Sequence, residues 1–316
     1  PVHDRFLACI LRCTVMSSSS INPTSAPVLE PGARLGRYRL LEQLGRGGMG
    51  GVWEVEDDAG NRYALKSPGS GMSPTSDTMK RFAREANALR MLDHPNLVAA
   101  ADVFVEAGYL FLVMEKVVGT TLTSVIGEGA LQARRALVIA RQILEGVGHA
   151  HSHGLVHRDL KPDNIMLVDM GGWQRAKIVD FGVVKLIGDA EAAMGGGKLT
   201  TTGLVFGTPA YMAPEQALGK AVDARADLYA VATILFEMLT GRVPFDHPEP
   251  MQQMRMQVKA PPPRLDMLAK GASWCTPELV AFVDGGLAKN PDHRFASVQA
   301  MVDALDLAFL SLNDVP

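Results

Sequence analysis

Cysteine is scarce in this chain. Cys9, Cys13 and Cys275 are the three among 316 residues, and two of them lie at the very start. A disulfide framework for the body is excluded, and this usage fits a reducing compartment. Cys9 and Cys13 read as incidental thiols, because no second half of a metal site follows them. An excess of one charge is also lacking: 31 Lys and Arg against 34 Asp and Glu give 31 − 34 = −3. Such a chain is poorly suited to a nucleic-acid backbone, so no nucleic-acid partner is expected, although a local basic site for a phosphorylated small molecule is compatible with it. No apolar run reaches bilayer-spanning length. The segment from Phe6 to Met16 is short, is interrupted by Arg12, and lacks a convincing cleavage site for a signal peptide. Met16 precedes four serines and looks like an ordinary soluble start, with the residues before it an extension of no structural importance. The C-terminal Asn-Asp-Val-Pro carries no lipidation signal. No internal repeat is evident. These absences together predict a cytoplasmic protein without a membrane span.

What is present suffices for a sizeable core. Hydrophobic residues make up 47% and charged residues 21%, which argues against wholesale disorder. The length suits one large two-lobed domain or two packed ones. Residues 17–36 are rich in Ser, Pro and Gly, so residues 1–36 are expected to be a disordered leader. From Tyr38 the pattern turns strand-like, with a glycine cluster, a second strand from Val52, a turn at Asp58–Asn61 and a third strand to Ser67. Met79, Phe82, Ala86, Leu89 and Leu92 recur at helical spacing, and strands near 99–105 and 109–115 follow. After Gly119 the character is helical. Long amphipathic helices are predicted over Leu131–His153, closed by Gly154, and Asp223–Thr240, closed by Gly241. Further helices fit near 276–288 and 297–311. Pro261–Pro263 breaks the chain, and residues 155–215 are loop-rich. The expectation is an α+β architecture: a small β-rich lobe over about 37–117, a larger α-helical lobe over about 118–310, a tail at 311–316, and the chemistry between the lobes.

The glycine cluster Gly45-Arg-Gly47-Gly-Met-Gly50 contains G-x-G-x-x-G, a weak signal alone. A dinucleotide fold needs a helix directly after it, whereas a strand follows here. A Walker A loop needs G-x-x-x-x-G-K-[ST], which the chain lacks. What remains is a strand–loop–strand flap whose backbone N–H groups approach phosphates closely. Ala64 and Lys66 share a strand face, which leaves room for a flat base beside an ammonium. A solvated lysine is the plainer reading of Lys66. Glu85, on the apolar stripe of its helix, needs a cationic partner, and Lys66 is the natural one. His157-Arg158-Asp159-Leu-Lys161-Pro-Asp-Asn164 packs ionisable groups between apolar flanks, and Asp180-Phe-Gly182 follows a strand–turn–strand with Gly171-Gly172 at the turn. Carboxylate and amide oxygens of this kind suit Mg²⁺.

In this order the motifs resemble the protein kinase superfamily, most closely the bacterial eukaryotic-like (Hanks-type) serine/threonine kinases, over residues 37–310. The resemblance implies the bilobal kinase fold and an ATP-dependent transfer to Ser/Thr hydroxyls of proteins. It implies that the Gly45, Gly47 and Gly50 loop covers the ATP phosphates. Lys66, held by Glu85, would contact the α- and β-phosphates, and Asn164 and Asp180 would hold Mg²⁺, with Mn²⁺ an alternative. Asp159 would orient the hydroxyl and take its proton while Lys161 steadies the γ-phosphate. Leu44, Val52, Ala64, Met114 and Met166 would border the adenine, with Glu115 to Val117 as the hinge. Ala213-Pro-Glu215 and Arg294 imply a buried Glu215–Arg294 ion pair, and Asp227 a brace for the catalytic loop. Thr200, Thr201 and Thr202 fall where similar kinases autophosphorylate, with Arg158 placed to receive the phosphate. A transient homodimer for trans-autophosphorylation is the expected partner besides protein substrates. A pseudokinase scaffold and a small-molecule phosphotransferase are the competing classes. Retention of Lys66, Asp159 and Asp180 weighs against the first, and the Ala213-Pro-Glu215 segment against the second.

Overall fold

A computed structural model describes residues 29–47, 50–68, 89–107, 109–180 and 209–312. Cys9, Cys13, Glu85, Thr200, Thr201 and Thr202 lie outside these residues, as does most of the helix expected before Leu92; Leu89 and Arg90 are helical.

The small lobe is a six-stranded antiparallel sheet in the order β1-β2-β3-β4-β6-β5. Its strands are β1 (Arg34–Leu35), β2 (Tyr38–Gly47), β3 (Gly50–Glu56), β4 (Arg62–Pro68), β5 (Ala100–Glu106) and β6 (Tyr109–Glu115). Alternation along the strands divides their side chains between two faces. Trp53, Val55, Leu65, Phe111 and Val113 pack with Leu35, Tyr38 and Leu40 into a core of their own. The intervening residues take the other face, with Val52 opposite Lys66 and Ala64 opposite Met114. The leader boundary requires correction. Arg34 and Leu35 pair with Arg39 and Tyr38, and Leu35 is buried, so the ordered sheet begins before residue 37. Apolar contact outweighed the Pro- and Gly-rich composition there.

The large lobe opens with β7 (Thr120–Thr121) and α1 (Leu122–Gly127), followed by α2 (Ala133–Ser152). β7 joins β8 (Ile165–Asp169) and β9 (Gln174–Ile178) in a three-stranded sheet. Gly171 and Gly172 turn β8 into β9 at φ 75° and 111°, a region that favours glycine. The remaining helices are α3 (Pro214–Ala217), α4 (Arg225–Thr240), α5 (Pro250–Lys259), α6 (Leu265–Leu268), α7 (Pro277–Gly286) and α8 (Val298–Ser311). α2 and α4 end where expected: Gly154 and Gly241 take the left-handed conformation at φ 75° and 72°. Helices α1, α3, α5 and α6 were not anticipated: α1, α3 and α6 have six residues or fewer, too short for an apolar period to show, and the polar residues of α5 weaken its period.

The expected amphipathicity of 223–240 also requires correction. From Ala226 to Leu239 all but Glu237 are buried, because α2 and α7 both pack on α4. A helix enclosed in this way is apolar all round, not on one stripe. The approach of α7 is close: a Cβ on Gly286 would sit 2.4 Å from the Ala232 Cβ, so only glycine fits. Among the described residues, no helix is long and apolar enough to cross a membrane.

Candidate active site

The site lies where the uncored face of the small sheet meets β8 and β9. β2 and β3 form the glycine flap, with Gly47 opposite Gly50 and Gly45 opposite Val52. Beyond the flap, Val52, Ala64, Lys66 and Met114 line one face in two cross-strand rows. Met166, on β8, pairs with Thr121 and Lys177. Leu44 is 46% exposed on the flap's incoming strand, as a residue bordering an open cleft should be.

Lys66 crosses the cleft. Its Nζ lies 2.6 Å from both Oδ1 and Oδ2 of Asp180, which follows β9 by two residues. The expected Glu85 partner lies outside the described residues, so the Lys66–Glu85 pair is not addressed. Asp180 is held in place by its own backbone: the Val179 N–H donates to the Asn164 carbonyl at 2.9 Å, and Ile178 exchanges hydrogen bonds with Asn96 and Val98.

Asn164 ends a short 3₁₀ turn, Pro162–Asn164. Its Nδ2 donates to the Asp159 carbonyl at 2.8 Å, which leaves its amide oxygen as an acceptor on the other side. Asp159 and Asn164 are thereby held in one loop. Asp227, at the start of α4 and 1% exposed, anchors that loop. Its Oδ2 accepts from the His157 N–H at 2.8 Å and from His151 Nε2 at 2.8 Å, and its Oδ1 accepts from the Arg158 N–H at 2.9 Å. Arg158 has φ 62°, a strained conformation for a non-glycine residue that persists only where the surroundings impose it. Gln216 adds a constraint by donating from Nε2 to the Arg158 carbonyl at 2.8 Å.

Behind this loop Arg294 and Glu215 form a bidentate pair, Nη1–Oε1 and Nη2–Oε2 both 2.7 Å. Arg294 also donates to the carbonyls of Ala288, Arg225 and Lys289. Every guanidinium nitrogen is thus paired, which a buried cation requires. Tyr211 donates to Glu237 Oε2 at 2.7 Å beside Asp159 and Lys161. Burial raises the Glu237 carboxyl above its ordinary range.

Sequence reasoning missed several participants. Glu54, Lys116 and Lys177 carry ion pairs at the hinge, and His151 and Gln216 brace the catalytic loop. Glu54 and Lys177 had a faint signal as charged groups within strands, His151 as a histidine six residues before His157, and Lys116 lay within the expected hinge. Gln216 had none.

A model of the protein kinase domain matches residues 38–305. The chain belongs to the protein kinase family. It is 37% identical over 307 residues to serine/threonine-protein kinase Pkn1 of Myxococcus xanthus, covering 95% of this chain and 43% of that protein. It is 35% identical over 277 residues to serine/threonine-protein kinase PrkC of Bacillus subtilis, covering 87% of this chain and 41% of that protein. The chain therefore spans less than half the length of these curated relatives. Among solved structures, the kinase domain of Mycobacterium tuberculosis PknI superposes with a TM-score of 0.69 at 26% identity, covering 89% of this chain and 100% of that one. The bilobal kinase fold expected from the motifs is the fold observed.

Protein kinases use ATP and divalent metal ions, and the oxygens present fit such an ion. Asp180 offers a carboxylate reachable from the cleft, and Asn164 an amide oxygen opposite its committed Nδ2. Among the described residues no group of three or more His, Cys, Asp or Glu is arranged around a metal.

Proposed function

We propose that this chain is an ATP-dependent serine/threonine protein kinase. The observation that carries the reading is the 2.6 Å contact of Lys66 with Asp180, made across the cleft from the sheet to the segment after β9, which Val179 ties to the loop that holds Asp159 and Asn164. A cation and a carboxylate converge there beside a strained, braced loop, and a phosphate chain laid along the cleft meets both.

In this reading the base lies among Leu44, Val52, Ala64, Met114 and Met166, with Glu115 and Val117 offering backbone groups. Gly45, Gly47 and Gly50 bring N–H groups over the phosphates. Lys66 turns to the α- and β-phosphates, and Glu85 then holds it. Asn164 and Asp180 hold Mg²⁺, which neutralises phosphate charge when bound. Asp159 accepts the proton of a Ser or Thr hydroxyl, whose oxygen forms a bond to the γ-phosphorus as the bond to the bridging β,γ-oxygen breaks and ADP leaves. Lys161 steadies the transferring group. Arg158, Glu215, Asp227 and Arg294 keep the loop in place.

The same reading has the chain autophosphorylate on Thr200, Thr201 or Thr202, through a transient homodimer, with Arg158 receiving the phosphate. Arg158 Nε is buried without a hydrogen-bond partner among the described residues, which supports that role. A cytoplasmic location, protein substrates and no nucleic-acid partner complete the proposal. Incubation with labelled ATP, Mg²⁺ or Mn²⁺, and panels of protein and small-molecule acceptors tests it. Transfer to Ser/Thr of protein acceptors, with label on Thr200, Thr201 or Thr202 and reduced activity in their triple alanine variant, is the expected outcome. Binding without transfer would instead identify a scaffold.

A further inference from the structure

Glu54 occupies an unusual place for a carboxylate. It stands opposite Ala64, which stands opposite Met114, so it lies on the nucleotide-facing side of the small sheet, two residues beyond Val52. Its side chain is 3% exposed. Burying a charge there is unfavourable unless it is paired, and an apolar side chain would pack at the position without that penalty. Two cations meet it. Lys116 Nζ lies 2.7 Å from Oε2, and Arg62 Nη1 lies 3.0 Å from Oε1. The hydrogen bond from Lys116, and then that from Arg62, hold the carboxyl below its ordinary range against the opposing effect of burial.

The two cations are not equivalent. Arg62 is 59% exposed and lies on β4, which the sheet ladder already joins to β3. Lys116 is 28% exposed and is the first residue after β6, where the chain leaves the sheet for the large lobe. Its neighbour Glu115 is tied the other way. Glu115 Oε1 accepts from Lys177, on the strand that leads to Asp180, and from the Ala99 N–H at 3.1 Å. Consecutive residues of the connecting segment are thus pinned in opposite directions, one to the strand behind Asp180 and one to the outgoing strand of the glycine flap.

We propose that Glu54 and Lys116 are positioning residues whose ion pair clamps the outgoing flap strand to the inter-lobe segment and so sets the width of the slot that receives the nucleotide base. The clamp rests on the kinase reading above. It predicts that loss of the pair loosens base binding and leaves the phosphoryl-transfer geometry, set by Lys66, Asp159 and Asp180, largely intact.

The test is a double-mutant cycle of Glu54→Gln and Lys116→Met, read by KM for ATP, kcat, KM for a protein acceptor, and direct titration with adenosine, which carries no phosphate. Each single variant should raise KM for ATP and the adenosine Kd about tenfold, with kcat within about twofold and the acceptor KM unchanged. The double variant should be no worse than either single one, because both remove the same contact. A merely structural role would lower the melting temperature without this split. Unchanged ATP and adenosine affinities, strictly additive losses, or a fall confined to kcat would each overturn the clamp. Should Glu54→Gln fail to fold, Lys116→Met, which leaves Glu54 paired with Arg62, decides alone. A wild-type chain that binds no nucleotide overturns the kinase reading and the clamp with it. A wild-type chain that is active beside unaffected variants overturns only the clamp.

Discussion

Lys66 and Asp180 are 114 residues apart in sequence, yet the Lys66 ammonium lies 2.6 Å from both oxygens of the Asp180 carboxylate. Lys66 sits on the sheet of one lobe, and Asp180 just past a strand of the other. The contact neutralises two groups that would otherwise face each other across an open cleft. In the reaction proposed above, Lys66 is the cation beside the phosphates, and its charge matters most as the phosphoryl group moves.

Lys66→Met should therefore impair transfer more than nucleotide binding. Loss of a positioned charge of this kind typically costs about 10²–10³-fold in turnover, and the nucleotide Kd should move less than about tenfold. Nucleotide titration beside steady-state kinetics checks this. Equal losses in both would mean that Lys66 acts through uniform binding.

Asp159→Asn should fold as the wild type does and lose transfer by about 10²–10⁴-fold. The loop is held through the Asp159 backbone carbonyl and by Asp227, and neither changes with the side chain. Circular dichroism and turnover measured together test the pair of claims. Activity within about threefold of wild type would remove Asp159 from the mechanism.

Glu215→Gln or Arg294→Leu should destabilise the large lobe by about 3–5 kcal/mol, because each leaves a buried charge without its partner. Arg294 is the more damaging site, since it also holds three backbone carbonyls. Denaturant unfolding followed by intrinsic fluorescence gives the difference. A loss under about 1 kcal/mol would show that the pair behaves like a surface contact.

Lys289 supplies a pH test. Its ammonium lies 3.7 Å over the Phe245 ring, and burial, followed by the Arg294 charge, lowers its pKa from 10.5 to about 7. Between those values the unfolded chain holds a proton that the folded chain does not. Unfolding therefore takes up a proton, and this group's contribution to stability rises with pH from about 7 towards 10.5 and is lost as pH falls back. Lys289→Met should remove that slope and raise the melting temperature at neutral pH. Melting curves of both proteins at several pH values between these limits provide the comparison. Parallel slopes would mean that Lys289 stays charged in the fold.

Much of the arrangement was legible before the fold was described. The motifs around Lys66, Asp159, Asn164 and Asp180 singled out residues that the fold brings to one cleft, and the resemblance to protein kinases singled out Glu215 and Arg294, the buried pair behind it. Period-two and period-3.6 patterns placed most of the strands and four of the eight described helices, α2, α4, α7 and α8, and Gly154 and Gly241 marked helix ends. The errors have physical causes. Leu35 sat in a composition typical of disorder, but one buried side chain and two backbone pairings were enough to draw it into the sheet. The 223–240 helix was expected to have one wet face, because nothing local reveals that α2 and α7 enclose it from both sides.

The sequence by itself determined the local elements, the family, and the identity of the charged groups, because these depend on residue type and on spacings of a few positions. Beyond the Glu215–Arg294 pair and the Asp227 brace, which the resemblance to protein kinases implied, the tertiary structure decided which charge meets which. Lys66 meets Asp180 across the cleft, Glu54 meets Lys116 across the sheet, and Glu115 and Lys116 are pinned in opposite directions. Such pairings follow from register, strand order and the packing of one lobe on another. They are long-range consequences of burying apolar faces, and no window of sequence contains them.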